Sequence, residues 1–221
     1  MNYLTSPLLN IDEIKIIKGD LETSIDDWED GKKTAGTQAA KVKNNLQLNR
    51  DSEISKRCTS TIIKKILTNP LIKSFSIPKK VHGIMFTKSL EGMEYGRHID
   101  NAFMSSGRAD LSFTIFLNKE DEYKGGELII ENINNENIFK LSAGNILIYP
   151  STYLHSVKKV NNGERLVCVG WIESYVKSIE EREYLFDIDA GARSLLSKHG
   201  RSDDLDLIFK SYSNLLRLLG N

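Results

Sequence analysis

"KLSAGNILIYPSTYLHSVKKVNNGERLVCVGWIES", residues 140–174, holds three apolar runs of strand length divided by turn residues. Ala143-Gly144-Asn145 and Asn162-Gly163 are the turn signals, and "RLVCVGWIES" starts just beyond the second. Working back toward residue 81, "VHGIMFTKSL", "RADLSFTIFLN" and "GGELIIEN" repeat the pattern, with Lys124-Gly125-Gly126 as a further turn. Strands at this spacing, with no helical period between them, indicate an antiparallel sandwich or barrel, for which a jelly roll fits best.

Helical periods flank these strands. Asn10 precedes "IDEIKIIKGDLE" as a cap, with Glu13 at the capping-box position. A second helix is expected in "DSEISKRCTSTIIKKILTNP", ending before Pro70. Between them "TQAAKVKNNLQLNR" alternates as a strand would, which puts Ala40, Val42, Asn44, Leu46 and Leu48 on the inward face. After Ser174 the helical period returns in "VKSIEEREYLFDIDAGARSLLSKHG", then in a segment capped by Ser202 whose apolar stripe runs from Leu205 to Leu219. The expected division is an N-terminal helical and strand region over 1–77, a β core over 78–176 and a C-terminal helical extension over 177–221. The last stripe packs on the core or joins a twin subunit as a homodimer.

A chain of 221 residues with 40% hydrophobic content is long enough for one sizeable core. Equal numbers of basic and acidic residues, 30 of each, give no net charge to draw it to nucleic acid or an anionic membrane. The apolar runs are too short to span a bilayer, and "MNYLTSPLLNIDE" lacks the basic end and apolar run of a signal peptide. A cytoplasmic protein is expected. Cys58 and Cys168 are too few for a disulfide framework or a thiolate metal site and are read as packing residues.

"YGRHIDNAFM", residues 95–104, carries the chemistry. On a strand His98 and Asp100 point to one face and Ile99 to the other, so the pair can aim at one ion. A third ligand must come from elsewhere. His199 sits in "SKHGRS" at a helix C-terminus, where it complements the helix dipole; His82 opens a strand as a core or edge residue. His155, in "YPSTYLHSV", is the best candidate. Ten residues on, Arg165 shares a face with Val167, Val169 and Trp171, a long cation opening onto an apolar interior that needs an anion. Two neutral histidines and a carboxylate suit non-heme iron(II) with open coordination positions, and zinc accepts the same ligands. A guanidinium in a dry pocket suits bidentate capture of the far carboxylate of a dicarboxylic co-substrate, which favours iron.

His98-x-Asp100, then His155, then Arg165 resembles the pattern of the iron(II)- and 2-oxoglutarate-dependent dioxygenases of the prolyl 4-hydroxylase type. More narrowly, "WEDGKKTAGTQAAKVKNN", "YGRHIDNAFM", "RADLSFTIFLN", "YKGGELII" and residues 140–174 resemble the PKHD-type hydroxylases in order and spacing. The resemblance implies a double-stranded β-helix core of the jelly-roll, cupin-like kind. It implies iron held by His98, Asp100 and His155, with 2-oxoglutarate anchored by Arg165. The implied reaction uses O2, with ascorbate as a reductant, to decarboxylate 2-oxoglutarate to succinate and CO2 while hydroxylating an unactivated C–H bond. Tyr95 is a candidate hydrogen-bond partner of the co-substrate, and Ser112 and Thr114 are small hydroxyls leaving room for it. Asn44 and Asn101 are candidates for the side facing an unidentified small-molecule or peptide substrate. Two other readings stay open: a zinc-dependent hydrolase on the same ligands, though no Glu adjoins either histidine as a base, and a non-catalytic jelly-roll binding module.

Overall fold

Every residue of the strand Leu111–Phe116 is buried, so both of its faces are covered, and each face meets a different layer. The computed structural model, which describes residues 3–132 and 135–221, shows those layers. Leu111, Phe113 and Ile115 point to a core shared with the N-terminal helices, where Ile14, Ile17, Ile62, Ile66 and Ile72 join them. Phe116, on the other face, packs with Leu147 and Val167 against Leu128, Ile130 and Phe139 of a second sheet. The larger sheet is thus sandwiched between helices and a smaller sheet, and the inter-sheet space is what holds the site.

The larger sheet has seven strands in the order Leu4–Pro7, Asn145–Pro150, Leu111–Phe116, Arg165–Ser174, Pro78–Ser89, Leu46–Leu48, Trp28–Asp30. The smaller has five, Glu136–Phe139, Leu128–Glu131, His155–Val157, Glu94–His98 and Lys43–Asn44. All their pairings are antiparallel, as in a jelly roll. Both sheets have free edges, so the core is an open sandwich and not a closed barrel.

Five α-helices flank the sheets: α1 (Ile11–Glu22), α2 (Glu53–Thr68), α3 (Pro70–Ser76), α4 (Ile179–His199) and α5 (Asp203–Leu219). Asn10 caps α1 through the expected capping box, and Ser202 caps α5. Asn69 caps α3 with Pro70 as its first residue, which is why the chain resumes a helix where only a stop was expected. Cys58 and Cys168 are buried in the helix-facing core as free thiols. No helix of the described residues is long and apolar enough to cross a membrane.

The alternation expected over 37–50 is kept only in part: Leu48 is fully buried in the core as expected, whereas over 42–47 the phase is inverted. Residues 39–41 form a 3-10 turn, and two short strands follow, one in each sheet. Lys43, Asn45 and Gln47 are buried, whereas Asn44 and Val42 face outward. The apolar positions mislead here because Lys43 and Asn45 turn into a cavity, while Val42 packs against Gly96 outside it.

Candidate active site

His98 closes the strand Glu94–His98 and lies directly opposite His155, the first residue of its neighbour. Each imidazole is oriented the same way. The Nδ1–H of His98 donates to the Gly96 carbonyl at 2.8 Å, and that of His155 donates to the Tyr153 carbonyl at 3.1 Å. Holding the proton on Nδ1 leaves both Nε2 lone pairs free for a cation. The ring centroids are 4.2 Å apart. Burial first, and His155 second, push the His98 pKa down to about 4, so that ring is neutral, as a metal ligand must be.

Asp100 lies beyond the end of its strand, not on it. Strict alternation with His98 is therefore not what aims it; two hydrogen bonds do. Its Oδ2 accepts from Ser112 Oγ at 2.6 Å and from Trp171 Nε1 at 2.9 Å, both on strands of the opposite sheet. With the Ser112 proton committed to Asp100, Ser151 Oγ donates to Ser112 at 2.7 Å and completes the chain. Asp100 Oδ1 is left facing His155 Nε2 at 3.9 Å. The ligand atoms of His98, Asp100 and His155 all lie within 4.8 Å of one another, close enough to share one ion. Ile99, expected to face the other way from the pair, is exposed at the cavity edge.

Arg165 is 4% exposed, and its Nε has no hydrogen-bond partner among the described residues. Glu164 pairs instead with Lys88, and Glu173 with Lys79 and Arg108. The guanidinium lies 5.8 Å from the Phe116 ring centre, and burial works against its charge, opposed by the nearby Tyr123 and Tyr149. Gly126 makes room for it: with φ +70°, it is a position where a Cβ would fall 2.9 Å from Arg165 Cδ. Tyr123 hydrogen-bonds the guanidinium, but a buried cation met by a neutral phenol and no carboxylate contact is costly unless an anion joins it.

These residues line one cavity of about 370 Å³, within the usual range for small-molecule sites. Tyr95, Ser112, Thr114 and Asn101 line it too; Asn44 does not. Tyr95 stacks on His98 with centroids 3.6 Å apart and planes 15° from parallel, so its ring holds the imidazole as well as facing the cavity. His82 is buried elsewhere, bonded to Ser106 Oγ and the Arg108 carbonyl, and His199 ends α4. Arg108 and Asp110 pair with each other. Sequence reasoning missed Lys43, Asn45, Arg50 and Ser151, and it missed the role of the Trp171 indole. Trp171 was the one within reach, since its place on the face of Arg165 was readable.

Two histidines and a carboxylate, each with a free donor atom, beside a buried cation lacking an anion, are a donor set that fits iron(II) and 2-oxoglutarate. Residues 84–173 match the 2OG-Fe(II) oxygenase superfamily, and the fold and site define an oxygenase of that class. A PKHD-type hydroxylase of Prochlorococcus marinus strain MIT 9215 is 73% identical over 220 residues, and one of strain MIT 9515 is 72% identical over 221, each alignment covering 100% of both chains. The chain belongs to the PKHD-type hydroxylase family. Among solved structures, a Pseudomonas putida prolyl-4-hydroxylase superposes with TM-score 0.58 at 17% identity, covering 78% of this chain and 92% of that one. The non-heme alpha ketoglutarate dependent carbocyclase SnoK from nogalamycin biosynthesis does so with TM-score 0.61 at 10% identity, covering 79% and 80%. At these identities the likeness is one of fold.

Proposed function

We propose that His98, Asp100 and His155 hold iron(II), that Arg165 holds the far carboxylate of 2-oxoglutarate, and that the protein hydroxylates an unactivated C–H bond of a small-molecule or peptide substrate. The observation that carries this reading is the pairing of a His-Asp-His set with a buried, anion-less Arg165 in one cavity. Bound iron and 2-oxoglutarate supply the oxidising chemistry: O2 is spent converting 2-oxoglutarate to succinate and CO2 and placing one oxygen in the substrate.

The chain's own residues set the geometry. Gly96 and Tyr153 carbonyls keep both imidazoles in the ligating tautomer. Ser112 and Trp171 hold one oxygen of Asp100 so that the other faces the ion. Arg165, as a planar fork, offers two parallel hydrogen bonds to a carboxylate. Thr114, buried on the face shared with Ser112, lines the space between. The Tyr95 phenol, raised by burial and by Asp100, stays protonated as a donor to the co-substrate. Asn101 stands at the cavity rim, on the substrate side.

Cytoplasmic residence, ascorbate as reductant and a homodimer through the C-terminal helices belong to the same proposal. Leu207 and Leu218, exposed on α5, are what a twin subunit would cover, and light scattering checks it.

Anaerobic reconstitution tests the metal assignment. One iron(II) per chain is expected, and loss of it in each of His98→Ala, Asp100→Ala and His155→Ala. Tight zinc binding with hydrolytic turnover, and none with 2-oxoglutarate, would overturn the reading.

A further inference from the structure

The segment that reads in the inverted phase crosses from one sheet to the other, Leu46–Leu48 bordering the Pro78–Ser89 strand and Lys43–Asn44 bordering the Glu94–His98 strand. It closes one side of the cavity and carries two cations into it, Lys43 and Arg50. Lys43 is 5% exposed. Its Nζ lies 5.4 Å from the centre of the Tyr95 ring and reaches only the Thr34 hydroxyl, at 3.5 Å. That hydroxyl is itself committed to Gln47. Arg50, at the more exposed mouth, rests its guanidinium on the Met85 sulfur. Among the described residues no carboxylate forms an ion pair with either cation.

Asp100 and Asp30 act on the Lys43 ammonium from a distance, but an ammonium this buried with no carboxylate in contact is destabilising, so the fold keeps it at a cost. Among the described residues the cavity lining holds three cations, Lys43, Arg50 and Arg165, against one carboxylate, Asp100. Loading does not correct the imbalance, because the charges of iron(II) and of the 2-oxoglutarate dianion cancel. The two cation groups also stand apart. Arg165 is packed among Gly126, Tyr123 and Phe116, whereas Lys43 is beside Tyr95 and Thr34, on the edge strand of the other sheet.

Resting on the oxygenase reading above, we propose that Lys43 and Arg50 form a second anion site, which binds an oxyanionic group of the substrate and so selects acids over neutral molecules. Lys43 supplies the buried point charge next to the histidine strand, and Arg50 adds a fork at the mouth. The substrate is then an acid anchored at one end, with the carbon to be hydroxylated held toward His98, Asp100 and His155.

The test uses the full chain loaded anaerobically with iron(II) and 2-oxoglutarate, and measures retention of matched probes by ultrafiltration and mass spectrometry. The probes are N-acetyl amino acids and dipeptides as free acids against their primary amides, and phosphoserine peptides against serine peptides. The expected result is at least a tenfold preference for the anionic member in some series, falling toward unity in Lys43→Met and in Arg50→Leu. A preference among the acids assigns a carboxylate and one among the phosphopeptides a phosphate. Equal retention of charged and neutral members, retention of neither, or a preference that survives both substitutions overturns the proposal. Arg50→Leu, at the exposed mouth, keeps the test decisive if Lys43→Met fails to fold. Succinate released in air by the unmodified protein with no probe added reports the oxygenase reading separately.

Discussion

Asp100 shows how much of this site is held by residues that do not face the ion. Its Oδ2 is fixed by Ser112 and Trp171, which decides where Oδ1 points. Removing such an outer partner typically costs a metal site 10- to 100-fold in affinity. Ser112→Ala is therefore expected to weaken iron(II) binding by about that factor in an anaerobic titration, with far-ultraviolet circular dichroism unchanged. Iron affinity equal to that of the unmodified protein would mean that the loop alone positions Asp100. Lys43 gives a prediction in pH. Burial first, and Arg50 second, push its pKa down to about 8 from an ordinary 10.5. The unfolded chain then holds that proton more tightly, so the charge costs stability in full below about pH 8, and the cost fades as pH rises through 10.5. Lys43→Met should raise the melting temperature at pH 7, by less at pH 10. A gain independent of pH would assign the effect to packing. At this scale the sequence was most legible where residue type is rare in context: four histidines could be sorted by their surroundings, and an arginine entering an apolar strand face stood out. Lys43 did not, because lysine is the commonest solvated residue and only its burial separates it from the others.

The elements were legible where one period ran long enough. Helix α1 begins and ends where its capping box and periodicity place it, and Arg165–Ser174 is the strand its alternation describes. Short elements were not. Leu4–Pro7 pairs with Asn145–Pro150 at the sheet edge, but four residues ending in proline carry too little pattern to distinguish an edge strand from a loop. In 42–47 the period was right and the face wrong, because Lys43 and Asn45 turn into the cavity and reverse the usual sign, while Leu48 returns to the expected apolar face. Asn44→Ala, now an exposed substitution, should change stability by no more than about 0.5 kcal/mol. Helix α2 gives the opposite case. Ile62 is fully buried where that helix meets the larger sheet, and Ile62→Ala should cost about 2 to 5 kcal/mol in urea unfolding. A loss under 1 kcal/mol there would mean that α2 is not part of the cooperative core.

The whole molecule follows from one fact about its central sheet: both faces are buried. Helices cover one face with apolar side chains, and the smaller sheet faces the other across a space that narrows into core at Phe116, Leu147 and Val167 and opens into the cavity past Thr114 and Ser112. His98 and His155 come from adjacent strands of the smaller sheet, the residues that orient Asp100 come from the larger, and Arg165 enters from the larger sheet as well. On the proposed function, the two sheets deliver separate functions to one cavity, an ion site and a carboxylate anchor. Equilibrium dialysis of 2-oxoglutarate against the iron(II)-loaded protein and its Arg165→Ala and Arg165→Lys variants tests that most directly. Removing a buried charge-assisted partner should weaken 2-oxoglutarate by about 2 to 5 kcal/mol in Arg165→Ala, less in Arg165→Lys, with one iron per chain retained throughout. Unchanged 2-oxoglutarate affinity in Arg165→Ala, or loss of iron along with it, would mean that Arg165 is not a separate carboxylate anchor.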